Sequence, residues 1–371
     1  MPTTLPDGIG AEVFTCPKSM VYGPCGGVEF DGRCEVAAHR CVFLDVETVR
    51  WNGVVRGAAP QPTPVFSNPS RGPTPGVVDP THEPVASAGA IAMRELIAMR
   101  QIVVADFPSR ALDAASIAEC GGILAGSVDA VLAGDAGNAR VQFPPAYRAF
   151  LLQQSGLAVW SGFTCRDRNR VAMEGELAAL AHVGVAGVHC VTGDHTLTGS
   201  RPDAMPVFDL DSTQAASLAR ASGHLVSVGE SPATPPVDRR PDRLRQKMLA
   251  GAEICFVNHA GGAAPVADFI ERARELGVTM GFIPCIPIVV DRASAELLRS
   301  FTTLVLPDGY LDGILRAPNT FAAGIEAALR HAEQFLAIKG VVGVNLSGGA
   351  GVGHEAWFAE ALARIGSRVL A

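Results

Sequence analysis

The feature that most constrains the fold is an eightfold alternation of strand-like and helix-like segments after Ala86. Short apolar runs with strand character lie at Ile102–Asp106, Asp129–Ala133, Ala158–Phe163, Gly187–Thr192, His224–Gly229, Glu253–Asn258, Thr279–Cys285 and Gly340–Leu346. Between them, apolar residues recur every three to four positions, for example in Arg168–His182, Pro265–Leu276 and Ala322–Ala337, as in amphipathic helices. Eight repeats predict an α/β fold, a (β/α)8 TIM barrel, whereas six strands would give a Rossmann-like sheet.

Four cysteines precede these repeats, within the segment CPKSMVYGPCGGVEFDGRCEVAAHRC. Cys16, Cys25, Cys34 and Cys41 are separated by 8, 8 and 6 residues. Thiolates in a Gly/Pro-rich loop are ligands for Zn²⁺ or for iron-sulfur clusters. The alternative is four free thiols, and the spacing lacks the paired CxxC of zinc ribbons, so it does not choose the metal. We predict one metal site, with Zn²⁺ preferred over a 4Fe-4S cluster.

Proline content divides the chain. Residues 54–85 are rich in proline, which fixes φ and removes backbone donors, so this segment is predicted to be a linker or an arm. The predicted organisation is a cysteine-rich metal-binding module at residues 1–53, the linker at 54–85 and the barrel at 86–371. The remaining cysteines lie in apolar stretches and are expected to be core residues: Cys120, Cys165, Cys190, Cys255 and Cys285.

Charge and hydropathy exclude several classes of partner. The net charge is −7, and no basic cluster is present, which argues against nucleic acids and anionic membranes as partners. The amino-terminal residues lack the charged and apolar regions of a signal peptide, and no apolar run approaches the roughly 18 residues that a membrane span needs. We therefore expect a cytoplasmic protein whose partner is a small molecule.

Polar residues follow most of the predicted strands. They are Asp106, Asp135, Thr164 to Arg168, Thr192 with Asp194 and His195, Glu230, Asn258 with His259, and the Gly348–Gly353 loop. In a barrel these positions share one end, where ligands bind. Each residue alone is also explained as a helix cap or a loop hydrogen bond. Together they predict a polar ligand site.

Several of these segments form recognisable motifs. The stretch Phe163–Ser212, with TCRDRNR and a strand ending in TGD, resembles the methylenetetrahydrofolate reductases. The resemblance continues through RLRQKMLAGAEICFVN at Arg243–Asn258 and weakly through VADFPSR at the first strand. The segment CPKxxxxGPCGG, followed by GxCE and CV, is similar to a small domain found with these reductases as a fused or partner segment.

The resemblance implies a folate-binding oxidoreductase. Such an enzyme transfers a hydride from NAD(P)H to 5,10-methylenetetrahydrofolate and gives 5-methyltetrahydrofolate, usually through FAD, with FMN or no flavin as alternatives. Asp194 matches the aspartate beside flavin and pterin, and Asn258 stands where the family has a pterin-binding Gln. Thr164, Arg166 and Lys247 match flavin-binding positions, although Lys247 is also explained as a solvated charge.

Three further candidate residues are Asp106, His195 and Glu230. The family carries a proton-donating Glu at the end of the first strand, where this chain has either Ala105 or, after a one-residue shift, Asp106. Asp106 is the predicted acid, and its alternative role is a loop cap or a pair with Arg110. His195 is a candidate for proton transfer or for ring packing. Glu230 replaces an uncharged residue, which puts flavin binding in question.

Two other functions remain open from the sequence. One is a tetrahydrofolate-dependent methyl or one-carbon transferase (demethylase) on the same barrel. The other is a noncatalytic subunit whose cysteine module docks an electron-transfer protein. A homo-oligomer is a further possibility for its assembly.

Overall fold

The computed structural model of the 371-residue chain describes residues 15–55, 76–77, 85–134, 139–301 and 303–371. Eight parallel strands form a closed barrel, in the order β10-β3-β4-β5-β6-β7-β8-β9. They are β3 (Ile102–Asp106), β4 (Ala130–Ala133), β5 (Val159–Thr164), β6 (Gly187–Val191), β7 (Val226–Glu230), β8 (Ile254–Val257), β9 (Gly281–Pro287) and β10 (Gly343–Ser347). The predicted TIM barrel is confirmed, and each predicted strand overlaps one of these eight.

Helices alternate with the strands and surround the barrel. They are α1 (Ala88–Met99), α2 (Ala114–Leu124), α3 (Pro145–Gln153), α4 (Arg170–Val183), α5 (Ser212–Ala221), α6 (Arg240–Leu249), α7 (Ala263–Glu275), α8 (Arg292–Arg299), α9 (Tyr310–Leu315), α10 (Thr320–Leu336) and α11 (Glu355–Leu370). Short 3-10 helices cover Thr196–Thr198 and Val237–Arg239. After β9 the chain forms α8 and α9 before α10, so this repeat is longer than the others.

Local sequence signals set the helix bounds. The predicted helix at 168–182 begins at Arg170 because the Asn169 side chain accepts a hydrogen bond from Ala172 N, as an N-cap residue does. It ends at Val183, and the C-cap residue Gly184 has φ of 77°, a conformation that glycine adopts without the steric cost of a Cβ.

Alternate residues of each strand face the two sides of the barrel wall. Val104, Trp160 and Phe256 lie in an apolar cluster inside the barrel, whereas Val103 and Ala105 pack in the outer layer between strands and helices. Helix α1 belongs to the inner cluster through buried residues, namely Ala90 and Met93. It therefore closes the amino-terminal end of the barrel and leaves the opposite end for the site.

The cysteine-rich segment packs over that opposite, carboxyl-terminal end. The Asp211 carboxylate before α5 accepts hydrogen bonds from Val21 N (3.1 Å) and Tyr22 N (2.9 Å). Trp51 N donates to the Gln246 side chain of α6 at 2.9 Å. We name residues 15–55 the N-terminal module.

Most of the predicted linker lies outside the described residues. Its described parts are Val85 and two short strands, β1 (Val54–Val55) and β2 (Gly76–Val77), which pair antiparallel as a two-stranded sheet. Among the described helices, none is both long and apolar enough to cross a membrane.

Two helical glycines make a matched stability test. A Cβ added at Gly324 in α10 would lie 1.8 Å from the Val289 carbonyl oxygen, whereas a Cβ at Gly175 in α4 would meet nothing within 4 Å. We expect Gly324→Ala to lower the free energy of unfolding by about 1–3 kcal/mol through overpacking. Gly175→Ala should raise it by up to about 1 kcal/mol, because alanine is the better helix former. Denaturant unfolding of both variants checks this, and equal effects would contradict the packing of α10.

Candidate functional site

A cavity of about 290 Å³ lies at the carboxyl-terminal mouth of the barrel, between the strand ends and the N-terminal module. Glycines inside the barrel leave room for it: Gly134, Gly162 and Gly229 all line the cavity. A Cβ at Gly162 of β5 would lie 2.7 Å from the Cα of Gly134, the residue that follows β4. The two backbones therefore approach too closely here for residues larger than glycine. A second cleft of about 640 Å³ adjoins the cavity and shares Arg140, Asp194 and Asn258 with it.

Most of the residues predicted from sequence meet in this cavity. Its lining includes Thr164, Arg166, Asp194, Glu230, Lys247 and Asn258. The Asp194 side chain is 65% exposed, and one of its oxygens lies 3.5 Å from Arg140 Nη1. The Asn258 amide donates to Ser231 Oγ at 2.8 Å. Asp135 lies outside the described residues.

The base of the cavity holds a buried ion cluster. Glu230 accepts hydrogen bonds from Lys247 Nζ at 2.7 Å and from Arg240 Nη1 at 3.1 Å, and the Glu230 side chain is 1% exposed. Burial alone would raise the pKa of Glu230, but the charges of Lys247 and Arg240 outweigh it and hold that pKa below its ordinary value. Glu230 is therefore an ionised carboxylate with two cationic partners.

This cluster changes the role of Lys247. The side chain is buried, and its ammonium donates to the Gly229 carbonyl oxygen and to Glu230, both at 2.7 Å. Burial lowers the pKa of Lys247, against the stabilising charge of Glu230. The structure therefore excludes the solvated charge on a helix surface that the sequence left open.

Thr164 and Arg166 support the turn that carries Asp194. Gly193 has φ of +88°, and a Cβ there would lie 3.2 Å from Thr164 Cβ and 3.4 Å from Arg166 Cβ. Arg166 is almost fully buried and holds the Asp167 carboxylate through bonds of 2.8 and 2.7 Å. The TCRDRNR and TGD motifs thus form one packed unit.

His195 contacts the module rather than the cavity. Its backbone N–H donates to Glu35 Oε1 at 3.1 Å, and its Nδ1 accepts from Leu197 N at 3.2 Å. Burial, followed by the charge of Lys18, lowers the pKa of His195. The ring packs on Phe208 with centroids 5.7 Å apart. These contacts match the ring-packing alternative.

Asp106 faces the interior of the barrel, on the same side of β3 as Val104. Its carboxylate accepts from Asn345 Nδ2 (2.9 Å), Ser347 Oγ (2.9 Å) and Gly348 N (3.1 Å). Burial raises the pKa of Asp106 against these donors. Ser347 also lines the second cleft, so Asp106 lies one side chain away from it. The alternative pair with Arg110 does not form, because Arg110 binds carboxylates elsewhere.

The sequence analysis missed several residues of the mouth. They are Lys18 and Arg140, Glu35 beside the cavity, His189 within the barrel, and Arg240. Lys18 Nζ lies 2.5 Å from Glu35 Oε1, with both side chains at most 5% exposed. Lys18 belongs to the CPK motif, and the resemblance of that motif to the reductase-associated domain could have identified it. His189 shares the strand parity of Gly187, and that parity alone indicated an inward side chain.

The four cysteines of the module surround one cavity of about 20 Å³. Burial and neighbouring thiols raise the pKa of Cys16 to about 11, and burial also raises that of Cys41. Within the part of the chain that the structure describes, no group of three or more potential ligands is arranged to hold a metal ion. The donor set thus fits zinc or iron chemistry, while its arrangement here is not a coordination site. Cys25 lines both this cavity and the mouth cavity.

The ion cluster predicts a stability loss on charge removal. We expect Glu230→Gln to destabilise the protein by about 3–5 kcal/mol, because Lys247 and Arg240 lose their buried counter-charge. The folded pKa of Glu230 lies below its ordinary value of 4.5, so its contribution is present above pH 4.5 and is lost as pH falls through the folded pKa. Unfolding measured at pH 7 and in acid checks this. Asp203→Asn, in an exposed pair with Arg201, should have no measurable effect.

Adjacent glycines test the docking of the module. A Cβ at Gly27 would lie 1.8 Å from Glu35 Oε2, whereas a Cβ at Gly26 would meet only Ser231 Oγ at 3.7 Å. We expect Gly27→Ala to displace Glu35 from Lys18 and to increase hydrogen exchange in residues 15–55, with Gly26→Ala close to wild type. Equal protection of the module in both variants would show that Glu35 does not hold it in place.

Comparisons with known proteins agree with this architecture. Residues 8–53 match the family model described as Methylene-tetrahydrofolate reductase C terminal. No curated protein matches the sequence. The barrel is similar to an uncharacterized protein from Clostridium thermocellum that binds two copies of 5-methyl-5,6,7,8-tetrahydrofolic acid, with a TM-score of 0.56 and 12% identity over 73% of this chain and 97% of that chain.

Weaker similarities extend to other barrels. A 2,3-dimethylmalate lyase of the PEP mutase/isocitrate lyase superfamily gives a TM-score of 0.41 at 14% identity, covering 70% of this chain and 89% of its own. An oxaloacetate acetylhydrolase gives 0.42 at 14% identity, with the same coverage of 70% and 89%. The family match is confined to the module, and the structural match shows the fold of the barrel. The segment at residues 8–53 is therefore related to the carboxyl-terminal domain of the methylenetetrahydrofolate reductases.

Proposed function

We propose that this protein binds a reduced folate in the mouth cavity and acts on its one-carbon unit. The observation that carries the proposal is the composition of the cavity wall, which combines strand-end residues with the N-terminal module. That module matches a methylenetetrahydrofolate reductase domain. The folate ligand of the Clostridium thermocellum barrel supports the same class of ligand.

The reaction we propose first is reduction of 5,10-methylenetetrahydrofolate to 5-methyltetrahydrofolate. Asp194 and Asn258 line the cavity and offer a carboxylate and an amide, which suit the hydrogen-bonding edge of a pterin. The negative charge of a carboxylate at this position would also stabilise the iminium cation that precedes hydride transfer. The hydride comes from NAD(P)H, the donor implied by the sequence resemblance.

Ring opening of the folate requires a proton, and we assign Asp106 as its source. Burial favours the protonated acid, which can donate to Ser347 Oγ in place of accepting from it. Ser347 then donates its own proton toward the cleft that it lines. The folate nitrogen gains this proton as its bond to the methylene carbon breaks, and Asp106 is left as the carboxylate.

The mouth fits a flavin diphosphate poorly. Lys247, the residue matched to a phosphate-binding lysine, is already neutralised by Glu230 at the base of the cavity. Arg240 is bound to the same carboxylate and to the Cys25 carbonyl oxygen of the module at 3.1 Å. We therefore propose a reduction without FAD or FMN, in which the nicotinamide transfers its hydride directly to the folate.

A second candidate is tetrahydrofolate-dependent methyl or one-carbon transfer. It is favoured by the hydrogen bonds at Asp106, because three donors around one carboxylate stabilise its ionised form and oppose its use as an acid. The electron-transfer subunit remains a third prediction, without an observation that favours it over the other two.

We also propose that the N-terminal module holds one metal through Cys16, Cys25, Cys34 and Cys41, with Zn²⁺ preferred over a 4Fe-4S cluster. The shared cavity of the four thiols supports this, although the thiols must converge further to coordinate an ion. A tetrahedral zinc-thiolate centre stabilises a small loop-rich unit that has little core of its own.

Folate binding and turnover test the function. We expect 5-methyltetrahydrofolate to bind by calorimetry, and Asp194→Asn to lower turnover tenfold or more while the melting temperature stays near wild type. Asp203→Asn is the matched control because Asp203 is exposed and does not line the cavity. Nicotinamide oxidation that depends on methylenetetrahydrofolate supports reduction, whereas loss of the methyl group to an acceptor supports transfer. A fully active Asp194→Asn variant would move the site elsewhere.

Metal content tests the cysteine assignment. We expect Cys25→Ser to lose the metal, measured by elemental analysis of anaerobically purified protein, and to loosen the module. Cys120→Ser is the control, since Cys120 lies outside the module and donates to the Pro108 carbonyl oxygen. Stoichiometric metal in the Cys25 variant would refute the assignment.

A further inference from the structure

The floor of the mouth cavity contains a histidine that neither the motifs nor the proposed reaction uses. His189 lies in the middle of β6, with Gly162 of β5 and Ser227 of β7 as its neighbours in register. The same parity places its side chain inside the barrel, where it lines the cavity. Its ring contacts Phe256, with centroids 4.8 Å apart.

Hydrogen bonds orient this imidazole and link its tautomer to the direction of the Ser227 hydroxyl. Trp160 Nε1, which can only donate, donates to Ser227 Oγ at 2.8 Å. The single hydroxyl proton of Ser227 then has two acceptors in reach, His189 Nδ1 at 2.9 Å and the Val188 carbonyl oxygen at 3.4 Å. The shorter contact is to Nδ1. Donation by Ser227 to the nearer acceptor, Nδ1, places the ring proton on Nε2, whereas donation to the Val188 carbonyl oxygen would place it on Nδ1.

The surroundings also keep the ring uncharged and its far edge accessible. Burial, followed by the positive charge of Lys247, lowers the pKa of His189 to about 3. Gly229 lines the cavity beside the ring, and a Cβ at that position would lie 3.7 Å from His189 Nε2. The absence of a side chain at Gly229 leaves space next to the Nε2 edge.

We propose that His189 is a specificity-determining residue, whose Nε2–H donates a hydrogen bond to an acceptor on the heterocyclic ring of the bound ligand. The inference rests on the proposed function, since it gives the folate ring a contact at the cavity floor. Asp194 and Asn258 lie nearer the rim, where the mouth cavity meets the second cleft. A ligand ring that presents a carbonyl oxygen or an imine nitrogen toward β6 accepts this hydrogen bond. A ring that presents an N–H there places two donors opposite each other and is discriminated against.

Binding by two matched variants tests the donor. His189→Gln retains an amide N–H near the position of Nε2, whereas His189→Phe retains the ring shape without a donor. We expect 5-methyltetrahydrofolate to bind His189→Phe about tenfold or more weakly than wild type, the effect of losing one buried hydrogen bond, and His189→Gln within about threefold. Equal affinity of the Phe variant and wild type, both folded by circular dichroism, would overturn the inference.

A measurement on the unliganded wild-type protein covers the case in which the Phe variant does not fold. Long-range proton-nitrogen NMR of 15N-histidine-labelled protein should show His189 as the Nε2–H tautomer, with no titration between pH 5 and 8. Ser227→Ala should shift the tautomer equilibrium, which assigns the signal. An Nδ1–H tautomer or a charged ring would overturn this inference alone. Failure of the wild type to bind 5-methyltetrahydrofolate, with the tautomer as expected, would instead overturn the proposed function and this use of His189 with it.

Discussion

The buried charges at the end of β7 connect the cavity floor, helix α6 and the N-terminal module. Glu230 ends that strand, and Lys247 and Arg240 approach it from α6. Arg240 also donates to the carbonyl oxygen of Cys25, so the same cation connects the barrel to the N-terminal module. Each charge has lost its hydration, and each is stable there only because the others are present. The cavity floor, helix α6 and the module are therefore energetically coupled.

This coupling changes how the cysteine-rich module is understood. A remote redox or docking domain would contact the barrel through a small, polar interface, and its loss would leave the mouth complete. Here Lys18 and the backbone from Pro24 to Gly27 form part of the cavity wall. Glu35 is held between Lys18 and the backbone of His195. The module is thus a structural component of the mouth cavity.

The sequence predicted the barrel well and the site only in part. Strand positions follow from local apolar periodicity, so all eight predicted strands match. The partners of the polar residues depend on contacts between distant segments, which periodicity does not carry. Glu35 meets the backbone of His195 at a separation of 160 residues, and Arg240 meets Cys25 at 215. For this reason the sequence left two roles open for Lys247, a flavin-binding residue or a solvated charge, and kept His195 as a candidate for proton transfer. It missed Lys18 and His189.

The barrel distinguishes between Ala105 and Asp106, the two residues that can be aligned with the family's proton-donating glutamate. Without a gap, Ala105 occupies the position of the family's glutamate, and that alignment removes the acid. The alternation of β3 places Ala105 in the outer layer against the helices and Asp106 inside the barrel with Val104. Of these two positions only Asp106 faces the barrel interior, which supports its proposed role as the acid. The same inside-outside parity places His189 and Ser227 on the cavity side of their strands. Strand parity, more than motif matching, identifies the residues of this barrel that face a ligand.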